Sequence, residues 1–432
     1  MSKDKSKQTA LWRRLLCCAA LFAGTAVLLA ALLTATSLIP QSALRDNVLE
    51  SANYLCEGEL FGTAVPEVNG SRIDRYADSI LLGIAWQTDA DHPLTATMRA
   101  AYYHEPTENE NVNLLTAVTE DKPANQQYLR YWHGSLVLVR PLLTALTLRQ
   151  IYVLHGAVLT AAAAWVLVLL WRRREYAPAL GLLLGMAAAA FWFVPLSLEY
   201  YWVCLLALVL SALVILLGRR DGVLVPLFLA GGMVTSFLDF LTAETLTLLV
   251  PLLLLLWLRR DLPPVKTALR LGAAWAVGYV GMWVLKWVLA AAVLRENILP
   301  DLSEHIEERF SRDFYDVGLV RLFSGSVLRN AACLFPLGWG VAGALAALAL
   351  AVFAVYYGFV YRRPGYDRTR LLVWAALGLV PYLRYLVLRS HSYIHCFFTY
   401  RAQMAAVLAL VLILAELTAR RRKAIRTEKN RS

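Results

Sequence analysis

Near the end of the chain, "LLVWAALGLV" (Leu371–Val380) is followed by "HSYIHCFFTYR" (His391–Arg401) and then by "MAAVLALVLILAEL" (Met404–Leu417). The first and last of these belong to apolar runs at 371–388 and 401–418. Each is close to the roughly 20 residues that carry a helix across the hydrocarbon core of a bilayer. The polar stretch between them is then a short turn at one membrane surface, and the chain is built of such crossings.

Working outward, similar windows fall near 15–38, 151–171, 178–195, 201–218, 223–241, 243–258, 268–294 and 331–360. With the last two, that makes about ten. The composition agrees: of 432 residues, 59% are hydrophobic and only 17% are charged, and the apolar residues come in long blocks. That excludes an ordinary soluble domain. The expected fold is all-α, a polytopic membrane helix bundle of about ten transmembrane helices with a large extracytoplasmic loop after the first.

Charge fixes the expected orientation. Basic clusters stand at Lys3 to Arg14, Arg172–Arg174, Arg219-Arg220, Arg259-Arg260, Arg362-Arg363 and Arg420–Lys423. Each falls where an even number of crossings returns the chain to its starting side. The positive-inside rule places both termini in the cytoplasm of a cell whose cytoplasmic membrane the protein spans. The net charge of +11 is largely accounted for in this way and implies no nucleic acid. The first apolar run is too long for a signal-peptide core and no small-x-small cleavage site follows it, so it reads as a retained helix.

The expected organisation is a cytoplasmic tail (1–14), a first transmembrane helix (15–38) and a large extracytoplasmic loop with juxtamembrane helices (39–150). Transmembrane helices two to seven (151–294), a second extracytoplasmic loop (295–330), helices eight to ten (331–418) and a basic cytoplasmic tail (419–432) complete it. Inner loops such as "RRDG" and "RRPGYDR" leave little room for chemistry. Loops as long as the outer two are usually folded or functional. The six cysteines, Cys17, Cys18, Cys56, Cys204, Cys333 and Cys396, have no metal spacing and read mostly as small buried hydrophobes.

In the first outer loop, "SRIDRYADSILLGIAWQ" (Ser71–Gln87) reads as a helix with Asp74 and Asp78 on one face. Ser71 and Asp74 have the spacing of a capping box, which would make them helix starters. Asp78 stands beside an apolar run, where the charged form is disfavoured and a general base is suited; a solvated helix face is the plainer account. The loop closes with "QYLRYWHGSLVLVRPLL" (Gln127–Leu143), where Arg130, His133 and Arg140 sit among interfacial aromatics. The stretch to Leu148 reads as an interfacial or re-entrant helix. Its arginines either snorkel to headgroups or anchor an anionic ligand.

Acids lie in two further outer turns: Glu199 in "PLSLEYYW", and Asp239 and Glu244 in "DFLTAE". Acids at the hydrocarbon edge are costly and face protein or a water-filled cavity. Lys286 lies deep enough to need a partner or to snorkel outward. In "HSYIHCFFTYR", His391 and His395 share a helical face and Arg401 opens the last span. The HxxxH spacing lacks the glutamate of a zinc protease, so no metal and no other cofactor is expected. Cationic groups aimed at phosphate fit better. Acids, histidines and arginines from separate segments thus converge on one membrane face.

This layout resembles the GT-C class of integral membrane glycosyltransferases. The stretches "YADSILLGIA", "RYWHGSLVLVRPLL", "SFLDFLT" and "HSYIHCFFTYR" are similar to those of a group of largely uncharacterised bacterial membrane proteins. The resemblance implies a polyprenyl-phosphate-linked sugar donor and a glycan or lipid-linked acceptor, met among membrane lipids outside the cytoplasmic membrane. It implies Asp78 or Asp74 as catalytic base. Arg130, His133, Arg140, His391, His395 and Arg401 would hold phosphate, with Asp239 and Glu244 completing the substrate-binding set. The acidic pair common after the first span in that class is absent: "IPQSALRDNVLE" offers only separated Asp46 and Glu50. A lipid or solute transporter, or flippase, is the alternative; it predicts charges near mid-membrane and repeat symmetry. A non-catalytic membrane protein is the other.

Overall fold

The computed structural model describes residues 2–298, 300, 303, 317–362 and 364–418, with side chains from residue 12 onward. Most of 301–316 and the basic tail 419–432 lie outside the described residues. The described chain is helical apart from one short antiparallel pair, β1 (Ala101–Tyr102) and β2 (Gln126–Gln127), with Tyr102 opposite Gln126.

Backbone amides in hydrocarbon have no water to bond, so apolar runs of this length close their hydrogen bonds internally as helices. The first is α1 (Ser2–Thr36), followed by five helices of the first long connection: α2 (Arg45–Cys56), α3 (Arg75–Trp86), α4 (Pro93–Arg99), α5 (Glu110–Thr119) and α6 (Leu136–Leu143). The bundle continues with α7 (Leu148–Arg172), α8 (Tyr176–Ala188), α9 (Leu198–Leu217), α10 (Asp221–Leu238), α11 (Leu246–Leu258) and α12 (Pro264–Leu294). It ends with α13 (Leu319–Ala332), α14 (Gly340–Val360), α15 (Arg368–Val387), the short α16 (Arg389–Ile394) and α17 (Cys396–Thr399), and α18 (Met404–Thr418).

Eight helices among the described residues are long and apolar enough to cross a membrane, and the chain is a multi-pass membrane protein. These are α1 from Trp12, α7, α9, α10, α12, α14, α15 and the continuous Cys396–Thr418 segment. The two further windows, near 178–195 and 243–258, form α8 and α11, which are apolar but shorter. The window near 331–360 splits: α13 ends at Ala332, and α14 begins only at Gly340. The segment after His133 forms α6, eight residues that contain Pro141, shorter than any of the eight candidate spans.

The centre of the bundle is α9 and α11, whose leucines are almost wholly buried. α10 and α12 pack backbone to backbone. A β-carbon at Gly278 would overlap the Leu229 carbonyl oxygen, and one at Gly232 would overlap that of Trp275. α1 and α14 pack at the periphery and leave most of their side chains exposed, as lipid-facing helices do.

The helices of the 39–150 connection pack on one another and join the core of the bundle. Leu55 of α2, Leu82 and Trp86 of α3 and Val118 of α5 are buried together. Asn111 donates to the Leu55 carbonyl at 2.8 Å and accepts from Ser79 at 2.7 Å, tying these three helices. Lys286 reaches this region from α12. Fully buried, it donates to the Met98 carbonyl at 2.6 Å, in the last turn of α4. Its partner is therefore a helix C-terminus, where a cation meets both a free carbonyl and the negative end of the helix dipole.

Gly278→Leu should destabilise the protein by about 1–3 kcal/mol or more, as overpacking does. Gly272→Ala, on the same helix in open space, should be neutral or slightly stabilising. Thermal unfolding of the two variants in detergent checks the contrast.

Candidate functional site

A cavity of about 460 Å³ opens where α3, the segment before α6, the first turn of α9 and the α16–α17 region meet. It is built from groups far apart in sequence, and each is held there by local chemistry.

The acidic wall begins with the start of α3. Ser71 does not cap it; its hydroxyl is spent in the preceding turn, donating to the Val68 carbonyl at 2.7 Å. Asp74 is the N-cap and accepts from the Ala77 amide at 2.9 Å. One turn on, Asp78 is fully buried and both its oxygens are engaged. Oδ2 accepts from the Tyr152 hydroxyl of α7, and Oδ1 accepts from the Leu198 amide at 2.9 Å and the Ser197 hydroxyl at 3.2 Å. Asp78 therefore ties the loop region to the start of α9.

The first turn of α9 carries Glu199, whose carboxyl stands beside that of Asp74 in the cavity wall. Two carboxyls in such contact hold one proton between them, because like charges at this range do not both ionise. The N-termini of α3 and α9 both end at the pair, and their dipoles favour the charge that remains. Burial pushes Asp74 up to about 6, with the Ala77 amide, Glu199 and Arg72 acting against it. Burial pushes Asp78 up to about 8; the Tyr152 hydroxyl opposes this and the nearby Asp74 adds to it.

The opposite wall is aromatic and imidazole-rich. His391 and His395 lie with ring centres 4.7 Å apart, and His395 stacks on Phe398 at 5.0 Å. Arg130 lies over the Tyr128 ring at 4.4 Å. His104 pairs with Glu110 at 3.1 Å on the rim. His133 sits beneath, with positive φ (53°) and its Nε2 donating to the Tyr128 carbonyl at 3.1 Å. Burial, with Lys286 and Arg130 nearby, lowers it to about 3, so it is a neutral ring at physiological pH.

Of the residues singled out from sequence, Asp74, Asp78, Arg130, His133, His391 and His395 line this one cavity. Arg140, Asp239, Glu244 and Arg401 do not. Arg140 caps the C-terminus of α1, donating to the Thr36 and Ile39 carbonyls at 2.6 and 2.9 Å. Asp239 closes its own turn by accepting from the Leu241 and Thr242 amides. Glu244 forms a bidentate, buried pair with Arg384 at 2.9 and 3.1 Å. Arg401 is 1% exposed, stacked 4.3 Å from the centre of the Tyr200 ring, with Nη1 donating to the Phe397 carbonyl.

Glu199 was visible as an acid in an apolar turn, but not as Asp74's partner. Tyr152 and Ser197 carried no signal, since a tyrosine inside an apolar helix and a serine after proline are commonplace. Arg384 stood as a lone arginine inside an apolar run. Among the described residues, no group of three or more histidine, cysteine or acidic side chains is placed to hold a metal ion. Compared with protein-family models, with curated proteins and with solved structures, the chain matches none.

Two outcomes follow. Arg384→Ala leaves Glu244 buried without its cation and should destabilise the protein by about 3–5 kcal/mol, read as a lower melting temperature. For Asp78, the folded carboxyl titrates near 8 against an ordinary 3.8. Its contribution to stability is complete below the ordinary value and is lost as pH rises through the folded one. Melting temperature should therefore fall from acid toward pH 8 in the wild type, and Asp78→Asn should flatten that slope.

Proposed function

We propose that the chain is a membrane glycosyltransferase of the GT-C kind. It would move a sugar from a polyprenyl-phosphate donor to an acceptor hydroxyl on the outer side of the cytoplasmic membrane. The observation that carries this reading is one cavity with a proton-sharing carboxyl pair on one wall and paired imidazoles with Arg130 on the other. Its sidedness rests on the basic clusters: Arg172 and Arg219 stand at the far ends of α7 and α9, while the near end of α9 supplies Glu199 to the cavity and that of α7 supplies Tyr152 to Asp78.

The chemistry needs few parts. The acceptor oxygen forms a bond to the anomeric carbon as the bond from that carbon to the phosphate oxygen breaks. The phosphate departs with the electron pair. The acceptor proton passes to the ionised member of the Asp74–Glu199 pair, acting as general base. His391, His395 and Arg130 would hold the phosphate and stabilise the charge it gathers. Asp78, with both oxygens occupied, acts by position: it fixes α3 against α9, and so sets the contact between Asp74 and Glu199. Aromatic rings such as Tyr76, Tyr102 and Phe240 supply flat apolar surfaces for a sugar face. A transporter reading gains nothing from Lys286, whose charge is satisfied by the backbone of α4.

Protein reconstituted in lipid with polyprenyl-phosphate sugars and candidate acceptors should release polyprenyl phosphate. Asp74→Asn and Glu199→Gln should each lower turnover by about 10²–10⁴-fold, the usual worth of a general base. His391→Ala should chiefly raise the donor KM. Wild-type turnover in both acid variants would sink the assignment.

A further inference from the structure

Cys333 and Cys396 are distant in sequence and meet in the fold. Cys333 follows the last turn of α13 and Cys396 opens α17; they are 3% and 1% exposed. A single donor, the Asn69 amide nitrogen, lies 3.3 Å from both sulfurs and so brings the two side chains together. Arg329, one turn before Cys333, lies over the Tyr393 ring at 4.3 Å and close to Cys396. The other cysteines lie elsewhere: Cys17 and Cys18 in α1, Cys56 at the end of α2 and Cys204 in α9.

The surroundings hold these thiols in place independently of any bond between them. Asn330 donates to the Ser392 carbonyl at 2.8 Å and accepts from the Thr399 hydroxyl at 2.6 Å. Gln403 donates to the Asn330 carbonyl at 2.9 Å. On the loop side, the Tyr400 hydroxyl donates to the Gly70 carbonyl at 2.9 Å or, as an alternative, the Ala189 carbonyl at 3.0 Å. A β-carbon at Gly70 would overlap the Cys333 carbonyl oxygen, so the loop backbone is pressed against it. The dithiol therefore sits where three segments join: the loop leading to Asp74, the end of α13, and the wall that carries His395 and Phe398.

We propose that Cys333 and Cys396 form a redox-active dithiol that closes to a disulfide and locks that junction behind the cavity wall. The thiolate is the nucleophile of disulfide exchange, and Cys396, on the Arg329 side of the pair, serves as the attacking sulfur. Its thiolate attacks one sulfur of a disulfide donor, and the donor's other sulfur leaves as thiolate. The Cys333 thiolate then attacks the Cys396 sulfur and expels the rest of the donor. Two electrons pass from the pair to the donor, which ends as a dithiol after taking up the two protons that the cysteines release. The donor class is any dithiol–disulfide couple, whether a small molecule or a thiol oxidase.

The test uses the full chain in lipid nanodiscs, equilibrated in mixtures of oxidised and reduced dithiothreitol, then acid-quenched, alkylated after denaturation and mapped by peptide mass. The expected result is a Cys333–Cys396 cross-linked peptide that forms in oxidising mixtures and reopens in reducing ones. The oxidised protein should melt higher than the reduced protein, and Cys333→Ser and Cys396→Ser should each abolish the difference. The proposal is overturned if both thiols stay alkylatable at the most oxidising ratio, or if either is found joined to a different cysteine.

Discussion

The contact on which the site depends is the buried carboxyl of Asp78. A carboxyl removed from water is costly unless hydrogen-bond partners replace its hydration. Here they come from two membrane helices: the Tyr152 hydroxyl from α7, and Ser197 with the Leu198 amide from the start of α9. The polar group therefore determines how α3 docks on the bundle. Apolar packing alone would tolerate sliding along the interface, whereas three directed hydrogen bonds do not. One turn away, the same docking brings Asp74 to Glu199. A structural tie and a reactive pair thus share one helix face.

A second regularity runs through the bundle. Several of its buried or half-buried cations are committed to backbone carbonyls at helix C-termini. Arg75 donates to the Tyr54 and Leu55 carbonyls of α2, and Arg140 to that of Thr36 in α1. Lys286 serves α4 and Arg370 serves Leu256 of α11, at 2.6 and 2.7 Å. The last carbonyls of any helix lack intrahelical donors, and within or near hydrocarbon no water supplies them. A long cationic side chain from a neighbouring helix meets that need and gains from the helix dipole as well. Arg384 also donates to a backbone carbonyl, that of Leu241 in the turn between α10 and α11, while pairing with Glu244.

That regularity explains what could be read in the sequence. Apolar windows at 201–218 and 268–294 correspond closely to α9 and α12, because hydrocarbon thickness and helical rise leave little freedom. The 178–195 window fails in its second half, where Ala190 has positive φ and a 3-10 turn containing Pro195 replaces the helix. Asp74, Asp78, His391 and His395 were legible as site candidates because polar groups between apolar runs stand out. Arg140 and Arg401 stood out for the same reason and lie elsewhere. A linear pattern shows charge but not its partner, and a carbonyl at a helix end looks the same in sequence as any other residue. The Asp74–Glu199 contact and the Cys333–Cys396 contact both join segments far apart in the chain, with no spacing to announce them.

The commitment of cations to carbonyls has a consequence for the cavity itself. With Arg140, Arg384 and Lys286 engaged elsewhere and His133 neutral, the acids of the cavity wall face few fixed positive charges. Such a wall repels an anion unless it keeps protons. Burial already raises Asp74 and Asp78, and with few cations opposite them the carboxyls keep their protons more readily. An anion entering this cavity would reinforce proton retention on the acidic wall, so that anion binding and proton uptake would be coupled.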